Sequence, residues 1–244
     1  MEEDHYYYES LPTIKYIYDY NHNMSCKGSY KYYSQQDSFD TDKILCCMID
    51  SDLLIAYGAA YKNVVANETI FEEGAECHFY YQLEGGSIKW VNIDDTGTEF
   101  IHIMVVPGEC VGEMSLFDKQ PYAASAIAET KSIILRLHAP SFQKLISENP
   151  EILLLFTKLM AQRLRYKFLM SKEIAFHKPE QTISSLLNHF KKSNLHFCND
   201  CSRLNLTRQQ IADMTGMRVE TVIRTIRSMH IRGKLKIEKG RVYC

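Results

Sequence analysis

The sequence predicts an α+β chain: an N-terminal antiparallel β-barrel or jelly roll, a long helix, and a C-terminal winged helix-turn-helix. Three observations carry that expectation. Glycines at 74, 85, 97 and 108 are spaced 11, 12 and 11 residues apart, with β-rich runs between them, the pattern of short antiparallel strands joined by tight turns. After Pro150 about 27 residues follow without Gly or Pro, enough for a helix of about 40 Å at 1.5 Å per residue. Beyond Pro179 two short helical patterns flank Gly216, and a strand pair surrounds Gly240.

In chain order, residues 1–47 stand apart, holding nine of the 16 tyrosines before position 34 among Asn, Ser, Gln and Asp. They have no sustained period and few aliphatic residues, so a poorly ordered extension is expected, with Met48 a candidate start. Residues 51–62 read as a short helix capped by Ser51 or Asp52. Strands are expected at 70–71, 79–83, 88–93, 100–106 and 132–137, with the loop Asp94-Asp95-Thr96-Gly97 joining two of them. Residues 48–149 therefore form the barrel, ending in a short helix over 140–149. Residues 150–178 form the long helix. Its apolar positions fall on two stripes, Leu155, Leu159, Tyr166, Leu169 and Phe176, and Phe156, Met160, Leu164 and Phe168. Two stripes suit a helix that packs on its own domain with one and on a second copy with the other, so a homodimer is expected.

Residues 179–244 form the last domain. Pro179 opens a helix, and Thr207 with Gln210 makes a capping box for the next. Gly216 turns the chain into a second helix, giving helix-turn-helix. On that helix Val219, Val222 and Ile226 point inward, leaving Glu220, Thr221, Arg224 and Arg227 on the other face.

Charge separates the same regions. The 244 residues carry 28 Lys+Arg and 30 Asp+Glu, a net −2. Residues 179–244 hold 12 basic and 5 acidic side chains, a net +7, against −9 for residues 1–178. A basic module is suited to a polyanionic partner. Glu220 and Arg224 lie four apart on one helical face, where Arg can pair with guanine O6/N7 and Glu can accept from a cytosine amino group.

The longest aliphatic or aromatic run, 152–156, is five residues, too short for a membrane span, and Met1-Glu2-Glu3-Asp4 is no signal peptide. A cytoplasmic protein with no membrane partner is expected. Its eight cysteines then read as thiols; Cys198-x-x-Cys201 is the one ligand-like spacing, but a zinc site wants a second ligand pair. No metal ligand set and no catalytic residues are expected. The alternatives weighed are a cupin-like, metal-dependent jelly-roll enzyme and a cyclic-nucleotide-responsive interaction module. The first would want His-x-His, whereas the barrel offers His102 and Glu109. The second leaves the helix-turn-helix without a role.

The segment LTRQQIADMTGMRVETVIRTI resembles the helix-turn-helix of the Crp/Fnr superfamily of transcriptional regulators, and PGECVGEMSLF resembles that family's phosphate-binding cassette. PYAASA and the long helix follow in the family's order, so the resemblance covers residues 48–244. FYYQLEGGSIKW and PYAASA look most like the members common in Bacteroidetes. The resemblance implies a dimer on a palindromic DNA operator, base reading by Glu220 and Arg224, and backbone contacts from Thr207, Arg208, Gln209, Arg218, Thr221 and Arg227. RNA polymerase is implied as a further partner. Val219-Glu220-Thr221 is closer to the fumarate–nitrate branch than to the cyclic-AMP branch, which implies a TTGA-like half-site.

The same resemblance points to an effector pocket of Gly112, Glu113, Ala124, Ser125, Lys167 and Phe168. Cyclic-AMP binders place an Arg-Ser pair where this chain has Ala124-Ser125, or Ala123-Ala124 in the other register, and a Thr-Ser where it has Lys167-Phe168. Without a bidentate Arg the cyclic phosphate lacks its charged partner, so an effector other than cyclic AMP is expected. An iron–sulfur centre would need four clustered cysteines near the N-terminus, and Cys26, Cys46 and Cys47 are three. No haem ligand stands out among Cys77, His78, His102 and His138. The cofactor is left open.

Overall fold

The computed structural model describes residues 49–176, 178–193, 195–198 and 201–244. The tyrosine-rich segment 1–47 and the candidate start Met48 lie outside the described residues. Asp50 caps α1 (Ser51–Ala56), its Oδ1 accepting from the amides of Asp52 and Leu53. The expected helix over 51–62 is thus half as long, and its cap is one residue earlier. Gly58, at φ +95°, turns the chain out of the helix. Residues beyond it enter β1 (Ala60–Val64), paired antiparallel with a later strand from Ala60↔Arg136 to Val64↔Ser132.

The strands β2 (Thr69–Phe71), β3 (Phe79–Gly85), β4 (Ile88–Ile93), β5 (Glu99–Val105), β6 (Cys110–Val111), β7 (Ser125–Ala128) and β8 (Ser132–His138) complete two antiparallel sheets, with α2 (Met114–Asp118) between β6 and β7. Their orders are β1-β8-β3-β6 and β2-β7-β4-β5, a jelly-roll-like pair of facing sheets. The sequence reading omits β1, β6 and β7. β6 has two residues and β7 four, too few to display an alternation.

The space between the sheets is filled by Phe71, Tyr81, Leu83, Ile88, Trp90, Val105, Val111, Tyr122 and Ile134. β3 is buried on both faces, because Tyr80 points outward to a second cluster formed with α3 (Ala139–Glu148) and the first half of α4 (Pro150–Phe176). There Tyr80 stacks on Phe142 at 4.9 Å, and Phe156 meets Phe142 edge-on at 5.5 Å. Gln82 is fully buried and satisfied. Its Nε2 donates to the Ile49 carbonyl (2.9 Å), and its Oε1 accepts from Ile49 N (3.1 Å) and Tyr80 OH (2.8 Å). An unpaired amide at this depth would be strongly destabilising, so Gln82 fixes where the chain enters the domain. Gly86, at φ +94°, has Lys131 O 2.6 Å from where a Cβ would sit, leaving glycine as the residue that closes the β3–β4 turn against β8.

α5 (Pro179–Lys192), α6 (Arg208–Thr215), α7 (Val219–Ile231) and the hairpin β9 (Lys236–Glu238)–β10 (Arg241–Tyr243) make the winged module. Its core is continuous with the barrel's outer face. Val91, Ile101 and Met104 share one cluster with Tyr166 and Met170 of α4 and with Ile183, Leu186, Ile211, Met214, Val222 and Ile226. α4 buries Ile152, Phe156, Leu159, Tyr166, Met170 and Glu173, while Leu153, Leu154, Leu164 and Phe168 are exposed. The two stripes expected from sequence are therefore not the two faces. Phe156 and Phe168 share an expected stripe yet lie on opposite sides.

Candidate nucleic-acid interface and sensor pocket

Thr207 adopts an extended backbone and caps α6. Its Oγ1 accepts from Gln210 N (3.1 Å), and its own N–H donates to Gln210 Oε1 (2.8 Å). Gly216 ends the helix at φ +66°, a left-handed turn that redirects the chain within two residues. Arg218 then precedes α7, whose Val222, Ile226 and Met229 are buried at helical spacing, with Val219 half-buried. The opposite face leaves Glu220, Arg224 and Arg227 exposed and Thr221 half-buried.

Arg218 is exposed, whereas Arg208 is half-buried at the start of α6. Burial and the nearby Arg241 guanidinium lower the Arg208 pKa. Arg241, on the wing, thus joins the basic group, a position the helix periodicity could not have indicated. Gln209 Nε2 donates to Asp213 Oδ1 at 2.7 Å. Next to it, Gln210 Nε2 donates to Glu129 Oε1 of the barrel at 2.9 Å. α6 accordingly sits on the barrel edge. A cleft of about 860 Å³ lies between them, with Gln209, Arg218 and Glu220 on one wall and Glu73, Asp94 and Glu99 on the other.

Inside the barrel, Gly112 and Glu113 precede α2. Gly112 has φ +75°, and a Cβ there would lie 2.6 Å from Phe71 Cζ and 2.8 Å from Tyr122 Cε1. Those two rings stack at 3.8 Å and fill the space against this backbone. The Glu113 side chain is fully buried, makes no capping bond and pairs with Arg163 Nη1 of α4. Arg163 Nη2 donates to the Cys110 carbonyl (2.8 Å), and the guanidinium lies 5.6 Å from the Trp90 ring centroid. Burial opposes the charge on Arg163, but the neighbouring acidic groups, Glu113 foremost, together outweigh it and raise its pKa.

One turn on, Lys167 Nζ donates to His102 Nδ1, His102 Nε2 donates to Asn92 Oδ1, and Asn92 Nδ2 donates to the Ala123 carbonyl at 3.0 Å. This relay assigns the imidazole as its neutral Nε2–H form. Burial, with the Lys167 charge beside it, pushes His102 down to about 4. Burial and Arg163 lower Lys167 to about 8.

Of the expected pocket residues, Gly112, Glu113, Ala124 and Lys167 cluster here. Ala124 is buried, and its carbonyl accepts from Trp90 Nε1 at 3.2 Å. Ser125 is at the rim, its Oγ accepting from Glu73 N at 2.9 Å. Phe168 is 69% exposed on the far side of α4 and takes no part. Arg163, Trp90, His102 and Asn92 join this cluster; the sequence reading named none of them for it and weighed His102 only as a haem or metal ligand. For Arg163 a signal existed, since it lies four residues before Lys167 on one helical face. Both nitrogens of His102 are engaged, and among the described residues no three His, Cys, Asp or Glu side chains gather into a metal-holding cluster. Among those residues no helix is long and apolar enough to cross a membrane.

Comparison with known proteins matches both halves. Residues 61–149 match a cyclic nucleotide-binding domain, and residues 180–243 match a Crp-like helix-turn-helix domain. The chain is 30% identical to the cAMP-activated global transcriptional regulator CRP of Haemophilus influenzae over 184 residues, covering 72% of this chain and 82% of that protein. Among solved structures it superposes on the c-di-GMP responsive global regulator CLP of Xanthomonas campestris with a TM-score of 0.65 at 20% identity, covering 79% and 96% of the two chains. FixK2 of Bradyrhizobium japonicum gives 0.66 at 16% identity, covering 76% and 91%. At these identities the two structures speak for the fold.

Proposed function

The chain belongs to the Crp/Fnr family of DNA-binding transcriptional regulators, and from that premise we propose that it acts as a homodimer reading a TTGA-like palindrome and answers to an effector other than cyclic AMP. The observation that carries the reading is the exposed Glu220/Arg224 pair on α7, four residues apart on a helix whose other face is core. Two such helices, related by a dimer axis, would enter successive major grooves and meet the two half-sites. Thr207, Arg208, Gln209, Arg218, Thr221 and Arg227 surround the pair and would hold the backbone phosphates. They would supply the salt-dependent share of affinity while Glu220 and Arg224 choose the sequence. RNA polymerase is the further partner that promoter regulation requires, and a DNA target places the work in the cytoplasm.

The homodimer is supported by α4. Leu154, Ala161, Phe168 and Ala175 recur every seven residues on its exposed side, with Leu164 between them, the spacing of a coiled-coil seam. Against cyclic AMP stand Ala123 and Ala124, the Phe71–Tyr122 stack against Gly112, and Lys167 engaged with His102.

Gel shifts on TTGA-type palindromes test the readout. Arg224→Ala should weaken specific binding by about 1–3 kcal/mol, roughly 5- to 150-fold, and flatten the preference at one base pair. A variant as selective as wild type would overturn the assignment. Calorimetry with cyclic AMP should give no heat at micromolar protein; micromolar affinity would overturn the effector reading while leaving DNA recognition intact.

A further inference from the structure

A second cavity, of about 360 Å³, lies between β5, α4, the end of α5 and α6. Its walls are chiefly Met104, Leu159, Leu169, Phe190, Leu195 and Met214. One lining residue is conspicuous: Gln162, whose Oε1 is buried beside the cavity and has no hydrogen-bond partner among the described residues, so that a small turn of its side chain would present it. We infer that this cavity is a binding site for a small uncharged molecule with an apolar body and one hydroxyl or N–H donor, the donor going to Gln162 Oε1.

The size fits, since sites for small organic molecules begin at about 300 Å³ and are mostly apolar with a few convergent polar groups. The class follows from what the wall offers. An amide oxygen shut away from water is stabilised by a donor and by nothing apolar. The charged and titratable groups leave no place for an ion. Arg163 is already neutralised by Glu113 and the Cys110 carbonyl. Glu109 is buried, its carboxyl pKa raised by that burial, and it accepts from Val106 N at 2.9 Å. His189 stacks on Tyr166 at 4.6 Å; burial lowers its pKa and takes His196 down to about 4, so both imidazoles are neutral near pH 7. Arg165 is exposed at the mouth. Because Met104 belongs to the sensor, Leu159 and Leu169 to α4 and Met214 to the reader, an occupant touches all three parts of the molecule. Any effect on transcription rests on the regulator reading above; the binding itself does not.

The test uses the full chain labelled with ¹³C at its methionine methyls, with phenol as probe. Met104→Leu and Met214→Leu assign the two reporter signals. Both signals should shift saturably with phenol and, at a similar concentration, with cyclohexanol. Toluene, which lacks the donor, should bind about fivefold more weakly, and Gln162→Leu should lose the same factor for phenol. Benzoate should bind more weakly than phenol. Leu169→Trp, which fills the space, should abolish the shifts while leaving far-UV circular dichroism unchanged. If that variant misfolds, Gln162→Leu still decides. Absence of a saturable shift in folded wild type, indifference to Gln162→Leu, or tighter binding of benzoate would each overturn the proposal. These readings are taken on free protein, so a failure of DNA binding in the gel shift leaves them intact, and the reverse holds as well.

Discussion

Glu113 is fully buried and faces Arg163, which comes from a helix 50 residues further along the chain. Removing charges from water is expensive, and a close, hydrogen-bonded partner is what makes a carboxylate tolerable at that depth. Arg163→Met should therefore cost about 3–5 kcal/mol in urea unfolding, because it strands the carboxylate. Replacing both partners, Glu113→Gln with Arg163→Met, should recover most of the loss. If the double variant is no more stable than the single one, the role of Arg163 is packing on Trp90 rather than pairing. Glu113 is singled out by the resemblance to the family's cassette, but its pairing with Arg163 is not legible, because nothing local marks which carboxylate a distant guanidinium will meet. The His102–Lys167 contact escaped for the same reason.

At the scale of elements, α4 explains both a success and an error. A long helix is readable from the absence of Gly and Pro, but the expected stripe Phe156, Met160, Leu164, Phe168 advances in steps of four. Each such step rotates the position by about 40° at 3.6 residues per turn, so the row leaves the core by Leu164. Rows with a seven-residue repeat drift by only about 20° per repeat, and Leu154, Ala161, Phe168 and Ala175 stay on one side. Leu164→Glu combined with Phe168→Glu should accordingly convert dimer to monomer in sedimentation velocity and cut affinity for a palindrome at least tenfold. A dimer unchanged by both would move the seam elsewhere. The strands divide similarly. The pattern located β4 to the residue, whereas β1 passed for helix because Ala59 and Ala60 continue an apolar run past the Gly58 turn.

Among the described residues, one of the core clusters crosses from barrel to reader, running from Val91 and Ile101 through Met170 to Ile211 and Val222. Such continuity predicts that the two parts unfold together, for which coincident transitions by different probes are the test. Trp90, the single tryptophan, is in the barrel, while most helical signal comes from α4 to α7. Thermal melts followed by Trp90 fluorescence and by circular dichroism should coincide within experimental error; a reader melting several degrees apart would show the joint core to be weak. The acidic and basic halves could be read from composition. Their docking could not, since it depends on single contacts such as Gln210 to Glu129. That docking turns Gln209, Arg218 and Glu220 toward Glu73, Asp94 and Glu99 across the cleft. A chromosome offers about a million or more wrong sequences for each right one, and attraction to all of them is electrostatic. A phosphate backbone entering that cleft would meet carboxylates as well as Arg218, so the docked arrangement should weaken attraction to that whole background alike, which the salt dependence of non-specific binding checks.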